Sequence, residues 1–390
     1  MKLAVVLSRF PFPLEKGDKL RAYHQIKELS KKHEIYLFCL SDQEVKEDWK
    51  TEVQQFCKEL HVFRLNTLLI AWNTARQIFT ELPFQVGYFY QRGIHKKINQ
   101  HIGRIKPDHI YCQLVRSAEY VKNFHTIRKT IDYMDALGLG MQRRSVISRG
   151  ILRWLFAAEG RRLTAYENRI FDYFDGHTAI SEQDRQFINH PQNRDIAIVE
   201  NGTDDRFFDY VKKVPVLYDL VFVGNLNYPP NIECAEFIAR EILPDVRKVI
   251  PTASLLLSGA NPHKRVRDLS RLDGITVSGW VDDIRESYAS AKIFTAPLFI
   301  GSGMQNKLLE AMALEIPCIT TPLANNALKA VKNEHIFIAG DRDKFVETIL
   351  HLLKDKALAS SVACAGKEFV QARFQWPIAV KKLEEVLERK

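Results

Sequence analysis

Short apolar runs bounded by glycine, proline and polar residues alternate with amphipathic stretches along the whole chain. In the first half the runs at 3–7 (LAVVL), 34–40 (EIYLFCL), 60–64, 108–112, 130–133 and 176–180 predict strands, with helical spacing between them. From 145 to 172 the pattern reads as one long helix, with Leu152, Leu155, Phe156, Leu163, Tyr166 and Ile170 roughly on one face. The segment IAIVENGTDDRFF (196–208) is a strand running into an Asn-Gly turn, and a polar, lysine-bearing stretch follows it to about 217. Alternation then restarts more regularly, with strands at 219–226, 253–260, 274–280, 292–298 and 316–321 and helices at about 230–241, 263–271, 283–290 and 304–314.

Strands alternating with helices argue for parallel, doubly wound α/β sheets, and the restart after a polar linker argues for two of them. The expected organisation is a Rossmann-like domain over 1–205, a linker over 206–217, a second Rossmann-like domain over 218–360, and C-terminal helices over 361–390 that pack back toward the first. A cleft between two such domains is where small ligands usually bind.

Composition adds little to the fold but narrows the partners. The 390 residues carry a net charge of +9. Residues 1–200 hold 31 Lys and Arg against 23 Asp and Glu, whereas the remainder holds 25 against 24. A basic first half suits phosphorylated lipid, a membrane surface or nucleic acid, or is an ordinary solvated surface. No nucleic-acid recognition motif accompanies the charge. The six cysteines, at 39, 57, 112, 234, 318 and 364, are widely spaced and form no C-x-x-C pair, which suits free thiols in a reducing compartment. The apolar run in MKLAVVLSRF is too short for a signal peptide, and no run reaches the roughly 18–20 residues a bilayer requires. The expectation is a cytoplasmic protein, able to touch the membrane peripherally from its inner face.

The segment APLFIGSGMQNKLLEAMALEIPCITT (296–321) carries the most chemistry. It reads as strand, glycine-rich loop, helix, strand. Gly301 and Gly303 let the backbone approach a ligand closely, and a helix starting near Met304, Gln305 and Asn306 points free N–H groups at an anion such as a diphosphate. Lys307 and Glu310 are three residues apart and share a face one turn down. A cation near phosphate and a carboxylate able to accept two ribose hydroxyls would bind a nucleoside diphosphate in sequence. An ordinary glycine turn before a helix with an exposed Lys–Glu pair has the same spelling.

This segment resembles the signature of the GT-B retaining glycosyltransferases of family 4, in which a glycine loop precedes a helix spelled LEAMA. The likeness narrows to the sugar transferases of bacterial exopolysaccharide and PEP-CTERM systems. It rests on RFPFPLEKGDKLR (9–21), GNLNYPPN (224–231), GMQNKLLEAMA (303–313), EGRRLTAYE (159–167) and SEQDR (181–185), and runs from residue 3 to about 378. It implies a nucleotide-sugar donor, a glycan or lipid-linked cell-envelope acceptor, transfer with anomeric retention, and no metal or other cofactor. It places Glu310 on the donor ribose and, with the 301–307 loop including Ser302, Lys307 on the diphosphate. Gly224, Asn225 and Gly259 then line the donor side, and the backbone of Val281 meets the base, with Asp283 capping the next helix.

Two departures qualify the likeness. Many members carry a glutamate where this chain has Ser302, so the transferred sugar does not follow from the resemblance. Many also carry an Arg–Lys pair after the first strand of the second domain, where this chain offers Asn225, Asn227 and two prolines. Lys307, the helix terminus and Lys264 or Arg265 remain for the phosphates. In the first half, Gly17, Lys19 and Arg21 of KGDKLRAYH are expected to face the cleft, with Lys19 and Arg21 meeting phosphate. His24 is either a polar group there or a helix residue satisfied by its neighbours. In IDYMDALG, Asp135, with Asp132 behind it, is the candidate for binding sugar hydroxyls or polarising the acceptor, although a turn role fits equally. The reading is a glycosyltransferase using Asp135 and Glu310. A nucleotide-sugar epimerase of the same architecture and a non-catalytic glycan- or anionic-lipid-binding module stand as alternatives. For membrane contact the candidates are seven arginines between 141 and 170, interrupted by Trp154, Leu155 and Phe156, and the aromatic run PFQVGYFY at 83–90.

Overall fold

The structure, a computed structural model, describes residues 1–211, 213–299 and 304–389. The chain forms two compact units, one of residues 1–200 with 376–390 and the other of residues 201–375. Gly301, Ser302 and Gly303 lie outside the described residues.

The first unit is built on strands β1 (Lys2–Leu7), β2 (Glu34–Ser41), β3 (Glu59–Arg64), β4 (His109–Gln113), β5 (Arg128–Met134), β6 (Gly176–Ala179) and β7 (Ala197–Ile198). All pair in parallel, in the order β3-β2-β1-β4-β5-β6-β7. Side chains alternate across a strand, so β1 sends Ala4 and Val6 to one face and Leu3, Val5 and Leu7 to the other. Both sets are fully buried, one under the Arg92–Ile105 helix and its neighbours, the other under the Gly17–Leu29 and Trp376–Leu387 helices. Burial of both faces is why these strands read as continuous apolar runs. Chain order reverses between β1 and β4, the topological switch point at which doubly wound sheets bind ligands beyond the strands' carboxyl ends.

The second unit repeats the plan with β8 (Tyr218–Val223), β9 (Leu255–Ser258), β10 (Ile275–Gly279), β11 (Ala291–Ala296), β12 (Cys318–Thr320) and β13 (Phe337–Ile338). Their order is β10-β9-β8-β11-β12-β13, again all parallel, with the switch point between β8 and β11. Two parallel, doubly wound sheets in one chain match the expected fold class. The C-terminal helices divide between the units: Lys356–Arg373 belongs to the second and Trp376–Leu387 to the first.

One expected element is wrong. The stretch 145–172 is not a single helix: one helix runs Leu137–Ile147 and another Gly150–Phe171. Ser148 and Arg149 are extended between them, and Gly150 sits at φ 60°, a left-handed conformation that glycine adopts without penalty. The apolar stripe also splits: Leu163, Tyr166 and Ile170 are buried, whereas Leu152 and Leu155 face solvent.

Candidate functional site

In the second unit the elements predicted to hold a nucleotide converge at the carboxyl ends of β8, β9, β10 and β11. The helix after β11 runs Asn306–Ala313 and buries Leu308, Leu309, Ala311, Met312 and Ala313. That burial turns Lys307 and Glu310 to the other side, where both are half-buried. The Lys307 ammonium donates to Asn231 Oδ1 and lies 5.0 Å from the Phe222 ring centroid. Asn231 Nδ2 in turn donates to the Asn225 carbonyl at 2.9 Å, so the Gly224–Asn225 turn and Lys307 are tied through one side chain. Burial lowers Lys307 to about 8. Glu310 accepts from the buried Tyr288 hydroxyl at 2.7 Å, and burial raises its carboxyl above the usual range. The helix start is tied as well, because Asn201 Nδ2 donates to Asn306 Oδ1 at 3.1 Å. Met304 and Gln305 lead into it, half-buried, with Gln305 at the N-cap position.

The glycines at the strand ends serve the protein before any ligand. Gly259 has φ 140°, and a β-carbon there would collide with the Gly224 carbonyl, so the tips of β8 and β9 touch backbone to backbone. Asp283 caps the Ile284–Ala289 helix, accepting from the Arg285 N–H at 3.0 Å, and pairs with the Arg285 guanidinium at 2.6 Å. Val281, half-buried, lies between that cap and β10. Of the two fallback cations, Arg265 is engaged by Glu236, whereas Lys264 is exposed.

In the first unit the structure redistributes the predicted roles. Arg21 does not meet phosphate. It is fully buried and paired through two nitrogens with Asp132, at 2.6 and 3.2 Å. Asp132 also accepts from Tyr111 and Thr178, each at 2.9 Å. It is therefore the hub of a buried network, and its carboxylate is engaged inside the protein. His24 is buried and stacked on Trp376, with ring centroids 4.8 Å apart and planes at 7°. Lys19 reaches Glu15 at 3.4 Å. Gly17 opens the first helix with free space where a β-carbon would stand, so nothing steric demands glycine there.

Asp135 fares differently. It follows β5 directly, at the strand's carboxyl end, and its carboxyl is raised to about 7. Desolvation by the surrounding protein and the neighbouring Asp184 carboxylate both oppose its ionisation. Two cations the sequence reading passed over stand nearby. Arg9, after β1, pairs with Asp18, and Arg116, after β4, comes within 4.0 Å of the same carboxylate. Both guanidinium groups sit over the Phe89 ring, at 5.6 and 5.8 Å. Arg116 also donates to Gln85 Oε1 at 2.9 Å, and burial followed by repulsion from Arg9 lowers its pKa to about 10. Two guanidinium groups sharing one carboxylate at the sheet's switch point leave a cationic surplus where a ligand would enter. The only sequence signal for Arg116 was its place as the first charge after an apolar strand.

Exposed apolar side chains gather elsewhere on this unit. Val146, Ile151 and Trp154 are each about three-quarters exposed, among Arg144, Arg149 and Arg153. The Thr67–Arg76 helix buries no residue and exposes Leu68 and Trp72, with Ile78 and Phe79 just beyond it. The run at 83–90 is different: Val86 and Phe89 are core residues, so that aromatic cluster is not a free surface. Among the described residues no helix is long and apolar enough to cross a membrane.

Residues 218–355 match the family described as "Glycosyl transferases group 1". An uncharacterized 44.6 kDa protein in the cps region of Klebsiella pneumoniae is 22% identical over 401 residues, covering 96% of each chain. A GDP-mannose-dependent alpha-(1-6)-phosphatidylinositol monomannoside mannosyltransferase of Mycobacterium tuberculosis is 27% identical over 160 residues, 37% of this chain and 42% of that one. Among solved structures, Anabaena HepE in complex with UDP and glucose superposes with a TM-score of 0.71 at 13% identity, over 99% of both chains.

Proposed function

We propose that this GT-B enzyme, a glycosyltransferase whose second unit is a group 1 glycosyl transferase domain, moves a sugar from a nucleotide-sugar donor to a cell-envelope polysaccharide or lipid-linked acceptor with anomeric retention. The observation that carries the donor assignment is the Lys307–Glu310 pair, turned off the packed side of its helix and held by Asn231 and Tyr288. Lys307, with the 301–306 loop, holds the diphosphate, and Glu310 accepts the ribose hydroxyls. Protein cations and a helix terminus perform the neutralisation that a metal performs in other transferases. The UDP-bound neighbour and the mannosyltransferase relative support a nucleotide-sugar donor.

On the acceptor side, Asp135 lies at the carboxyl end of β5, and its raised carboxyl suits a group that exchanges a proton or hydrogen bond with an acceptor hydroxyl near neutral pH. Arg9 and Arg116 would face an anionic portion of the acceptor, such as a lipid-borne phosphate. The exposed apolar and arginine-rich stretch over 143–155 gives this unit a surface suited to anionic lipid, at about 1 kcal/mol for each basic residue near the headgroups. The cps-region relative supports an envelope polysaccharide as the product's destination.

A panel of nucleotide sugars, scored by the rise in melting temperature, tests the donor assignment. A ligand at a hundred times its dissociation constant stabilises by about 2.7 kcal/mol. Replacing Glu310 with Ala removes a charge-assisted bond pair, at roughly 1.5–3 kcal/mol per bond. If Glu310→Ala binds and turns over the donor like the parent, the ribose assignment is wrong.

A further inference from the structure

Away from the strand ends, three side chains of the first unit converge with no part in the chemistry above. Glu59 and His61 are two positions apart on β3, the edge strand of the seven-stranded sheet, and so project from the same face. The Arg92–Ile105 helix packs Ile94, Ile98, Ile102 and Ile105 inward, which brings His101 against that face. The His61 and His101 ring centroids are 4.1 Å apart, and His61 Nε2 lies 2.9 Å from Glu59 Oε2. One ligand atom from each of the three residues falls within 4.8 Å of the others. Phe38 stacks under His61 at 5.2 Å and lies 6.0 Å from His101, so both imidazoles rest on an apolar floor that limits their orientations. Among the described residues no protein group is hydrogen-bonded to the His101 ring.

We propose that Glu59, His61 and His101 bind a divalent transition ion of the zinc type, clipping the edge strand β3 to the Arg92–Ile105 helix. Two imidazoles and one carboxylate are a donor set that favours zinc and its neighbours over magnesium or calcium, and water completes the tetrahedron. Bonds of about 2.0–2.1 Å place tetrahedral ligand atoms about 3.3 Å apart, so small ring and carboxylate rotations close the site. Arg104 is the competitor. Its guanidinium now neutralises Glu59, but its side chain is 59% exposed, so it can swing into water when an ion arrives.

The experiment uses tag-free full-length protein titrated with zinc chloride by calorimetry and with cobalt(II) by visible absorption. The expected result is one saturable site, with cobalt bands of tetrahedral intensity and no competition from magnesium. His101→Ala and His61→Ala should each weaken binding by at least the ~10–100-fold that even loss of an outer partner costs. His125→Ala, at an exposed histidine elsewhere on the same unit, should leave it unchanged. Arg104→Gln removes an exposed competing charge without touching a ligand, and should tighten zinc several-fold. No saturable one-to-one binding, parental affinity in His101→Ala, or weaker zinc binding in Arg104→Gln would each overturn the site.

Discussion

If Lys307 receives the diphosphate, the affinity for nucleoside diphosphate must depend on pH in a way that nucleoside affinity does not. Burial holds the lysine at about 8 against an ordinary value of 10.5. A dianionic ligand beside the ammonium would restore most of that difference, roughly two pKa units or about 3 kcal/mol of differential interaction. The sign follows from the direction of the shift. The pKa is higher in the complex than in the free protein, so below about pH 8 the lysine is charged in both states and affinity is at its plateau. As pH rises through 8, the free protein loses the proton and binding must take one up from solvent. The dissociation constant then climbs about tenfold per pH unit until the pKa of the complex is passed. Between about pH 7.5 and about pH 9.5 that amounts to roughly 20-fold.

Calorimetry with UDP and with GDP, run in two buffers of different ionisation enthalpy, reads both the affinity and the proton taken up. Uptake should approach about 0.8 proton near pH 9 and fall to about 0.1 near pH 7. The free nucleosides should show neither effect, and ionisation of the base itself is common to all proteins compared. Lys307→Met should bind diphosphate weakly and with no slope beyond that of the base. An affinity flat across this range, or an equal slope for nucleoside and diphosphate, would refute the placement of Lys307 against phosphate.

Three other outcomes follow from the same geometry. Asp132→Ala removes the carboxylate paired with the buried Arg21 and should cost about 3–5 kcal/mol in urea unfolding, whereas the paired Arg21→Met/Asp132→Leu variant should lose much less; equal losses would deny that the pair acts as a unit. Asp135→Asn should leave nucleotide affinity intact while cutting transfer by at least ~100-fold, and should abolish any rise of rate with pH through 7; normal transfer with a lowered melting temperature would return Asp135 to a turn role. Flotation with vesicles of graded anionic-lipid content should show binding that rises with anionic lipid and falls when Arg143, Arg144, Arg149 and Arg153 become Gln; indifference to both would exclude this surface as the membrane contact.

Most strands were legible because a parallel sheet covered on both faces spells them as unbroken apolar runs, each bounded by a turn. The elements that escaped were those whose signal is shorter than a pattern. β13, two residues long, is such an element, whereas β7 is no longer but stands where the segment 196–208 was read to open on a strand. The break at 148–150 escaped because helical apolar spacing continues across it, and spacing assigns a face without saying what covers that face. Leu163 and Leu152 fit one stripe in the sequence, yet one is core and the other faces solvent.

The binding residues divide in a similar way. Lys307 and Glu310 were readable because their relation is local, three positions on one helix. Their partners were not: Asn231 and Tyr288 lie 76 and 22 residues from the side chains they hold, on other elements. Arg21 shows the same limit with the opposite result. Its position in KGDKLR made it a phosphate candidate, but its partner stands 111 residues away on β5. Register in the sheet, not neighbourhood in the chain, decides that the charge is spent internally. Among the described residues, Arg9 and Arg116 are cations that follow β1 and β4, the two strands that flank the switch point. A basic residue in such a fold becomes available to a ligand when it follows a strand's carboxyl end. One turn deeper, on a helix packed against the sheet, the same residue type must find its counter-charge inside the protein or not be there at all.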